Sequence, residues 1–238
     1  SAKNAIAQIL INSKMCALGK RPICQDTGIV NVFVEVGMSV EWDSELSLED
    51  MINEGVRRAY NEPDNRLRAS IVSDPLFGRK NTQDNTPAVI HTKIVKGRKL
   101  DITVAAKGGG SENKSKFTVL NPDDSLTDWV LKTVPKMGAG WCPPGMIGIG
   151  VGGTAEKAML MAKSSLMEPI DINEIKDKSN PSEIEKLRID LFNKINALGI
   201  GAQGLGGLTT VLDVKINDYP THAASLPVAM IPNCASTR

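Results

Sequence analysis

The sequence predicts an α/β protein in which mixed β-sheets are flanked by helices. Segments with helical and with strand periodicity alternate along the chain, which favours helices packed on a sheet. Two strand segments are joined by a short polar turn, so antiparallel pairing should accompany parallel pairing. Apolar residues make up 41% and charged residues 23% of the 238 residues, as in ordinary globular proteins. The length allows one large domain or two small ones.

The first predicted elements are a helix, a strand and a second helix. Residues 2–18 have the pattern of an amphipathic helix, and Gly19 stands where such a helix ends. Residues 29–36 are rich in β-branched side chains, which is typical of a strand. The segment 47–60 begins with Ser-Leu-Glu-Asp, which resembles a capping box and predicts a helix.

The middle of the chain predicts a hairpin and a third helix. Residues 88–95 and 100–105 alternate apolar and polar side chains, and the polar turn 96–99 joins them. Residues 125–136 predict a helix. Pro135 marks its end, because proline cannot continue a helix.

The last third of the chain predicts helices and strands in alternation. A proline marks the first turn of one helix, and Gly199 marks its end. The predicted strands are 146–151, 209–216 and 226–231, and the predicted helices are 154–167 and 180–199.

Charge and cysteine usage limit the class of protein. The formal net charge is +1, which gives no electrostatic reason to expect nucleic acid or an anionic membrane as a partner. No apolar run approaches the roughly 20 residues that span a bilayer. Four cysteines in a chain of this length do not form a disulfide framework. We therefore expect a reducing, cytoplasmic setting.

Three of the four cysteines lie in segments that make poor ordinary core. Cys24, Cys142 and Cys234 are each flanked by proline, glycine or polar residues, whereas Cys16 lies in a regular helical segment. No Cys-x-x-Cys pair is present, so the spacing matches neither a zinc knuckle nor a ferredoxin-type cluster motif. Separate reduced thiols and a joint metal site both remain open on this pattern.

A glycine pattern raises a nucleotide-binding alternative. Gly148, Gly150 and Gly153 fit G-x-G-x-x-G between a predicted strand and a predicted helix. Asp171 lies about 20 residues further on, as the dinucleotide fingerprint requires. Asp171 does not follow a clear second strand, however, and a close strand-to-helix turn explains the glycines equally well. An NAD-dependent oxidoreductase is thus a minor alternative.

Two further glycine-rich loops could bind an anion or could be ordinary turns. The loop 107–114 follows a strand, exposes several backbone N–H groups and is flanked by two lysines, which favours a carboxylate or phosphate. A flexible surface loop is the alternative. The loop 201–207 could equally be only the turn between a helix and a strand.

Several polar residues allow both a structural and a catalytic interpretation. Asp26, next to Gln25, could form a turn or transfer a proton beside a metal-bound thiolate. Arg68 could be a solvated charge or a bidentate carboxylate ligand. His222 lies in a polar loop before Cys234 and could be structural or functional.

Taken together, these segments resemble one family closely: the N-terminal, cluster-binding part of the class I (iron–sulfur) fumarate hydratases, related to the α subunit of L-tartrate dehydratase. The matching segments occur in the family's order and cover nearly the whole chain. They are 22–28, 64–70, 81–87, 106–114, 142–144, 199–204, 220–225 and the final cysteine.

The resemblance implies a fold, a cofactor and a set of site residues. It implies that residues 1–238 form a single domain, the cluster-binding domain of a class I fumarase, with a [4Fe-4S] cluster held by Cys24, Cys142 and Cys234. The fourth iron would stay open as a Lewis acid that eases loss or addition of water. The dicarboxylate substrate would contact Gln25, Asp26, Arg68, Gly110 and His222, with Asp26 and His222 as the catalytic residues and Asp26 as the proton donor to the departing hydroxyl.

The resemblance also implies partners and leaves one substrate ambiguity. The expected reaction is the reversible hydration of fumarate to (S)-malate, a step of the tricarboxylic acid cycle, and the alternative is the α subunit of L-tartrate dehydratase. We expect the family's C-terminal domain, or a β subunit in its place, to be needed in addition to the segments matched here. We therefore expect little or no turnover by the chain alone, and a homo-oligomer in the assembled enzyme.

Overall fold

The computed structural model describes residues 2–237, and their contacts divide them into two compact units. The smaller unit comprises residues 12–109, and the larger unit comprises residues 2–11 and 110–236. The first helix, α1 (Ala2–Gly19), contains the predicted segment 2–18. No helix among residues 2–237 is long and apolar enough to cross a membrane. Since contacts alone define the units, the single domain over 1–238 stays a prediction.

The smaller unit is built on a three-stranded mixed sheet. Strand β1 (Ile29–Gly37) is central; β4 (Val89–Val95) pairs with it in parallel and β5 (Leu100–Lys107) pairs with it antiparallel. Between β1 and β4 the chain forms α2 (Leu48–Tyr60) and a two-stranded ribbon. The ribbon consists of β2 (Val72–Ser73) and β3 (Lys80–Asn81).

The predicted hairpin between β4 and β5 is wrong, although both strands exist. They lie on opposite sides of β1, and the turn 96–99 passes over the end of β1. Backbone hydrogen bonds hold this turn: the N–H of Gly37 donates to the Lys99 carbonyl at 2.9 Å and that of Met38 to the Val95 carbonyl at 2.8 Å. A Cβ on Gly37 would lie 2.4 Å from the Gly97 carbonyl oxygen, so glycine is required there. Turn composition predicts a reversal, but not which strand lies between its two arms.

Helix α2 closes one face of this sheet. The Ser47 side chain accepts a hydrogen bond from the Asp50 N–H, which confirms the predicted N-terminus. Val56 and Tyr60 on α2 pack against the alternate valines of β1. The alternation of β1 places these valines on one face of the sheet, as its period of two requires. This small apolar cluster is the core of the smaller unit.

The larger unit is built on a four-stranded mixed sheet in the order β6-β9-β7-β8. Strands β7 and β8 are parallel, and β9 is antiparallel to both β7 and β6. The strands are β6 (Lys116–Leu120), β7 (Gly145–Gly152), β8 (Val211–Tyr219) and β9 (Leu226–Asn233). The helices are α3 (Gly109–Glu112), α4 (Leu126–Thr133), α5 (Ala155–Ser165), α6 (Ile172–Lys176) and α7 (Glu183–Ala197).

Helices cover both faces of this sheet, which confirms the predicted α/β class. Ile147 and Ile149 of β7 face Leu191 and Ile195 of α7 and belong to the largest apolar cluster. The opposite face, including Met146, packs against α5 in a separate cluster. Burial on both faces explains why β7 and β9 are nearly continuous apolar runs rather than alternating ones.

The predicted elements of this unit exist with shifted ends. The edge strand β6 was not predicted, although its first four residues, Lys-Phe-Thr-Val, alternate polar and apolar side chains. Helix α4 ends at Thr133 and continues as a 3-10 turn over Val134–Met137, where Pro135 cannot donate to a helical bond. Helix α7 begins at Glu183 with a capping box from Ser182, so Pro181 precedes the helix instead of lying in its first turn.

The glycines of the G-x-G-x-x-G pattern serve strand-to-helix packing. Gly148 and Gly150 lie inside β7 and not in a turn after it. A Cβ on Gly148 would lie 2.1 Å from the Ala162 carbonyl oxygen, and a Cβ on Gly150 would lie 2.0 Å from that of Ala158, both in α5. A dinucleotide loop needs its glycines in the turn that faces the pyrophosphate. The structure therefore does not fit the NAD-dependent alternative with Gly148, Gly150 and Gly153.

Asp171, the acid of that alternative, belongs to a buried charge network. Its carboxylate accepts hydrogen bonds from Arg188 of α7 and from Lys215 of β8, the latter at 2.6 Å. Both cations also pair with Asp213, which is fully buried. Burial by itself would raise the pKa of Asp171, but the hydrogen bonds from Arg188 and Lys215 outweigh it and lower the pKa to about 2. Two cations and two carboxylates thus balance inside the larger unit.

Gly150→Ala is expected to destabilise the protein by about 1–3 kcal/mol, because the added methyl group overlaps the α5 backbone. The matched control is Gly55→Ala in α2, where a Cβ meets nothing within 4 Å and alanine has the higher helix propensity. Chemical denaturation measures both. An unchanged midpoint for Gly150→Ala would contradict the close packing.

Asp171 should make the free energy of unfolding sensitive to acid. Its pKa is lowered on folding, so its stabilising contribution is complete above its ordinary value of 3.8 and is lost as the pH falls toward about 2. We expect Asp171→Asn to lose less stability than the wild type between about pH 5 and about pH 2. The exposed Asp123→Asn is the control. Parallel stability curves for Asp171→Asn and wild type would contradict the network.

Candidate active site

The loop 24–28 of the smaller unit holds the Asp26 carboxylate by backbone hydrogen bonds. The Gly28 N–H donates to Asp26 Oδ1 at 3.0 Å, and the Gly109 N–H donates to Oδ2 at 2.7 Å. The Cys24 thiol donates to the Asp26 carbonyl at 3.4 Å. Gly28 has a φ of 81°, and a Cβ there would lie 2.7 Å from the Ala106 backbone. The Asp-Thr-Gly sequence therefore forms a turn that also fixes a carboxylate.

A second segment, 66–70, is tied to this loop. The Thr27 hydroxyl donates to the Arg68 carbonyl and lies 3.2 Å from the Ser70 hydroxyl. Asn85 is fully buried; its amide donates to the Gly28 carbonyl at 3.0 Å and accepts from the Ser70 N–H at 2.6 Å. One asparagine thus joins the two predicted substrate segments. Its role had no signal in the sequence beyond its place in the matching segment 81–87.

Tyr60 supports the same loop from α2. Its hydroxyl donates to the Thr27 carbonyl at 2.6 Å. Burial and the nearby Asp26 charge raise the pKa of Tyr60, so the phenol keeps its proton and remains a donor. The apolar core of the smaller unit therefore continues directly into the polar loop that carries Gln25 and Asp26.

Arg68 lines a polar cavity of about 450 Å³ in the smaller unit. Two guanidinium side chains and two amide side chains surround it, a combination that suits a carboxylate. Sequence reasoning predicted Arg68 but missed the rest of the lining. The further residues are Arg66, Leu67, Ala69, Asn81 and Gln83.

Two predicted cluster cysteines lie at one edge of the larger unit's sheet. Strands β7 and β9 are antiparallel, with Met146 opposite Asn233. Cys142 comes just before β7 and Cys234 directly after β9, so the start of one strand and the end of the other bring both to the same edge. A Cβ on Gly145 would lie 1.9 Å from the Asn233 carbonyl oxygen, so the two backbones touch there.

The loop that carries Cys142 is unusual in conformation. Cys142 is exposed and has a φ of 56°, a region that cysteine rarely adopts. Trp141 before it is fully buried in the main apolar cluster and anchors the loop. A Cβ on Gly110 would lie 3.0 Å from the Gly140 carbonyl oxygen, so Gly110 lies against this same loop. Strain of this kind concentrates at functional sites.

A salt bridge secures the segment that contains Gly110. Lys163 of α5 donates to Glu112 at 2.6 Å, and both side chains are largely buried. The lysines that flank the loop 107–114 act differently from prediction: Lys107 is buried, and the Lys114 side chain packs over Gly140. The anion-binding interpretation of this loop stays a prediction.

His222 lies at the other end of the larger unit's sheet. Its loop connects the end of β8 to the start of β9, beside the end of β7, whereas Cys142 and Cys234 lie beside the start of β7. The eight residues of β7 correspond to about 25 Å. The His222 side chain is exposed and accepts a hydrogen bond from the Ala224 N–H at 3.1 Å. The fold therefore does not bring His222 to the two thiols of its own chain.

The donor chemistry of the cysteines fits an iron–sulfur cluster in part. Thiolates are the usual cluster ligands, and no disulfide occupies any of the four cysteines. Cys142 and Cys234 share an edge, while Cys24 belongs to the smaller unit. Within residues 2–237, no three His, Cys, Asp or Glu side chains form a group that could hold a metal ion. Cys16 lies in α1 and donates to the Pro22 carbonyl at 3.3 Å, as expected of a structural thiol.

Comparison with known proteins identifies the class and then the family. Residues 1–238 match the family described as Fumarate hydratase (Fumerase), so the match covers the whole chain. The protein is therefore a lyase of the hydro-lyase type. The chain belongs to the fumarate hydratase family, which confirms the resemblance seen in its motifs.

The similar curated proteins are named as subunits. A protein of Methanocaldococcus jannaschii, provisionally named L(+)-tartrate dehydratase subunit alpha, is 36% identical over 244 residues, which cover 100% of this chain and 83% of the relative. The L(+)-tartrate dehydratase subunit alpha of Escherichia coli strain UTI89 is 29% identical over 221 residues, covering 92% of this chain and 71% of the relative. The protein of the same name from Shigella sonnei matches to the same extent.

Asn85→Asp is expected to destabilise the smaller unit by about 1–3 kcal/mol, because an oxygen replaces the N–H group that faces the Gly28 carbonyl. Asn65→Asp is the matched control, since Asn65 makes a similar bond to the Lys20 carbonyl at 3.0 Å but is exposed. Thermal unfolding and hydrogen exchange at Gly28 and Ser70 measure the effect. Equal losses in the two variants would show that Asn85 does not join the segments.

Proposed function

We propose that this chain is the N-terminal domain or α subunit of an iron–sulfur hydro-lyase that interconverts fumarate and (S)-malate by reversible hydration. One observation carries the proposal: Thr27 and Asn85 tie the loop of Asp26 to the segment of Arg68. A carboxylate that can hold a proton and a guanidinium that can bind a carboxylate are thereby fixed within one unit. Membership of the fumarate hydratase family supports the reaction class.

The proposed substrate contacts follow from the chemistry of each group. Arg68 binds one substrate carboxylate, because a guanidinium pairs with it through two parallel hydrogen bonds. The backbone N–H of Gly110 and the amide of Gln25 complete the carboxylate contacts. Asp26 is the proposed proton donor to the departing hydroxyl, and the N–H groups of Gly28 and Gly109 fix the orientation of its carboxyl group.

Cys24, Cys142 and Cys234 are the proposed ligands of a [4Fe-4S] cluster. When bound, such a cluster supplies an open iron that acts as a Lewis acid toward the substrate hydroxyl. The strained, exposed Cys142 and the adjacent edge position of Cys234 support this assignment. A cluster with an open iron suits a reducing compartment such as the cytoplasm.

His222 is proposed to act on substrate only in an assembled enzyme. Its loop and the two thiols lie at opposite ends of one sheet, about 25 Å apart along β7. A four-carbon dicarboxylate cannot bridge that length. If His222 contacts substrate, it therefore does so at a site formed by another copy of the chain. This agrees with the proposed oligomer.

The proposed partner is a β subunit or a C-terminal domain. The relatives carry the name subunit alpha, which implies a second kind of subunit in those proteins. We propose that this partner supplies the remaining substrate contacts and the base that removes the carbon proton. The chain alone would then hold a cluster with little turnover.

Dehydration of L-tartrate is the second candidate function. The names of the similar curated proteins favour it. The sequences of 80–88 and of the loop from Lys107 favour fumarate by their resemblance to fumarases. The two reactions share the elimination of water from a hydroxylated dicarboxylate, so the same residues serve both.

Kinetics of the chain assembled with its partner should show fumarate and malate as better substrates than tartrate, by kcat/KM. Arg68→Lys should raise KM about tenfold, because lysine cannot make the paired contact. Arg58→Lys, an exposed change on α2, is the control. A preference for tartrate would overturn the fumarate assignment, and an unchanged KM in Arg68→Lys would overturn its role.

The cluster assignment is tested on the chain by itself. After anaerobic reconstitution, iron and sulfide should bind to the wild type and to Cys16→Ala, and should be lost or reduced to substoichiometric amounts in Cys24→Ala, Cys142→Ala and Cys234→Ala. Equal cluster content in all five proteins would refute a shared ligand set.

A further inference from the structure

The carbonyl oxygen of Pro143 receives two hydrogen bonds from one residue, Gln203. The Gln203 backbone N–H donates at 2.6 Å and its side-chain Nε2 donates at 2.9 Å. Pro143 directly follows Cys142 in the chain. The glycine-rich loop 201–207, which composition alone left as a possible simple turn, is thus in direct contact with the cysteine loop.

This contact is built from constrained backbone on both sides. Gln203 has a φ of 54° and Cys142 a φ of 56°, and each is costly for a residue with a side chain. Such conformations persist only where the surroundings determine them. Gly201 and Gly206 form a bridge so close that a Cβ on Gly201 would lie 2.0 Å from the Gly206 carbonyl oxygen. The loop therefore presents Gln203 in one fixed conformation.

The loop contacts the cysteine segment at a second point. A Cβ on Gly204 would lie 2.7 Å from the Ala139 side chain. The Ala139 carbonyl in turn accepts the backbone N–H of Cys142 at 2.9 Å. Contacts therefore fall on both sides of Cys142, at Ala139 before it and at Pro143 after it.

Fixing Pro143 limits the freedom of the Cys142 backbone. The proline ring already restricts the φ of Pro143, so a pinned carbonyl leaves little freedom in its ψ. The peptide unit that follows Cys142 is then held in place, and the hydrogen bond from the Cys142 N–H to the Ala139 carbonyl holds the preceding one, so the Cα–Cβ bond of Cys142 is constrained from both sides. A ligand on a backbone held in this way loses less conformational freedom when a metal group binds.

We propose that Gln203 is a positioning residue that holds the Cys142 loop in the conformation that ligates the cluster. The inference rests on the proposed function, since it assumes that Cys142 is a ligand. Gln203 touches neither substrate nor reacting atoms in this role. Its effect should appear in the stability and spectroscopic properties of the cluster more than in the stability of the fold.

Two substitutions at Gln203 and one control substitution separate the side-chain hydrogen bond from effects of charge and backbone strain. Gln203→Gly removes the side-chain bond and relieves the left-handed φ, so the fold should remain intact. Gln203→Glu keeps the size but points a carboxylate oxygen at the Pro143 carbonyl. Gln8→Glu, an exposed change of the same kind in α1, is the charge control.

The measurements use the anaerobically reconstituted chain. We expect iron loss to a chelator about fivefold faster in Gln203→Gly, the effect of one hydrogen bond, and faster still in Gln203→Glu. After mild oxidation, the electron paramagnetic resonance spectrum of the three-iron form should change in both variants and not in Gln8→Glu. Thermal unfolding of the cluster-free proteins should differ little between Gln203→Gly and wild type.

The outcomes separate this inference from the proposed function. If the wild type binds a cluster but both Gln203 variants keep its rate of iron loss and its spectrum, Gln203 is not a positioning residue. If cluster-free Gln203→Gly unfolds far below the wild type, its role is structural and the inference also fails. A wild type that binds no cluster would instead refute the proposed function.

Discussion

The antiparallel pairing of β7 with β9 is the constraint on which the candidate site depends. With Met146 opposite Asn233, the start of one strand meets the end of the other, and two cysteines 92 residues apart reach the same sheet edge. The backbones touch at Gly145, where no side chain fits. A shift of one residue would turn every side chain of β9 to the other face, so that each would have to repack against the opposite layer of helices. The packing of α5 and α7 on opposite faces therefore also maintains the position of the thiols.

In both units a well-packed sheet supports a loop that could not be stable alone. In the smaller unit, Tyr60 and Asn85 connect the core to the Asp26 loop through hydrogen bonds to its backbone carbonyls. In the larger unit, the buried Trp141 and the hydrogen bond from Gln203 hold the Cys142 loop. The side chains of the candidate site lie on loops, and each loop is held by buried hydrogen bonds or by apolar packing. Functional loops on rigid scaffolds follow this general design.

Local patterns in the sequence predicted most elements, because capping and alternation depend on near neighbours. Ser47 opened its helix as expected, and the valines of β1 alternated onto one face. The strand order was not predictable: β1 lies between two strands that a short turn joins, and only tertiary contacts decide this. The glycines of β7 matched a nucleotide-binding pattern because close approach of a helix and close approach of a phosphate need the same residue. Asn85 and Gln203 could not be assigned roles, since each acts on a backbone far away in sequence.

The placement of the candidate site is tested most directly by whether Cys142 and Cys234 can be bridged within one chain. A trivalent arsenical joins neighbouring thiols, and intact mass spectrometry detects the product. In a variant with Cys16→Ala and Cys24→Ala, we expect one bridged reagent per monomer when the reaction is run to completion. Adding Cys234→Ala and His222→Cys should abolish the bridge, because residue 222 lies at the opposite end of the sheet. A bridge in the second protein, or none in the first, would contradict the proposed placement of the site.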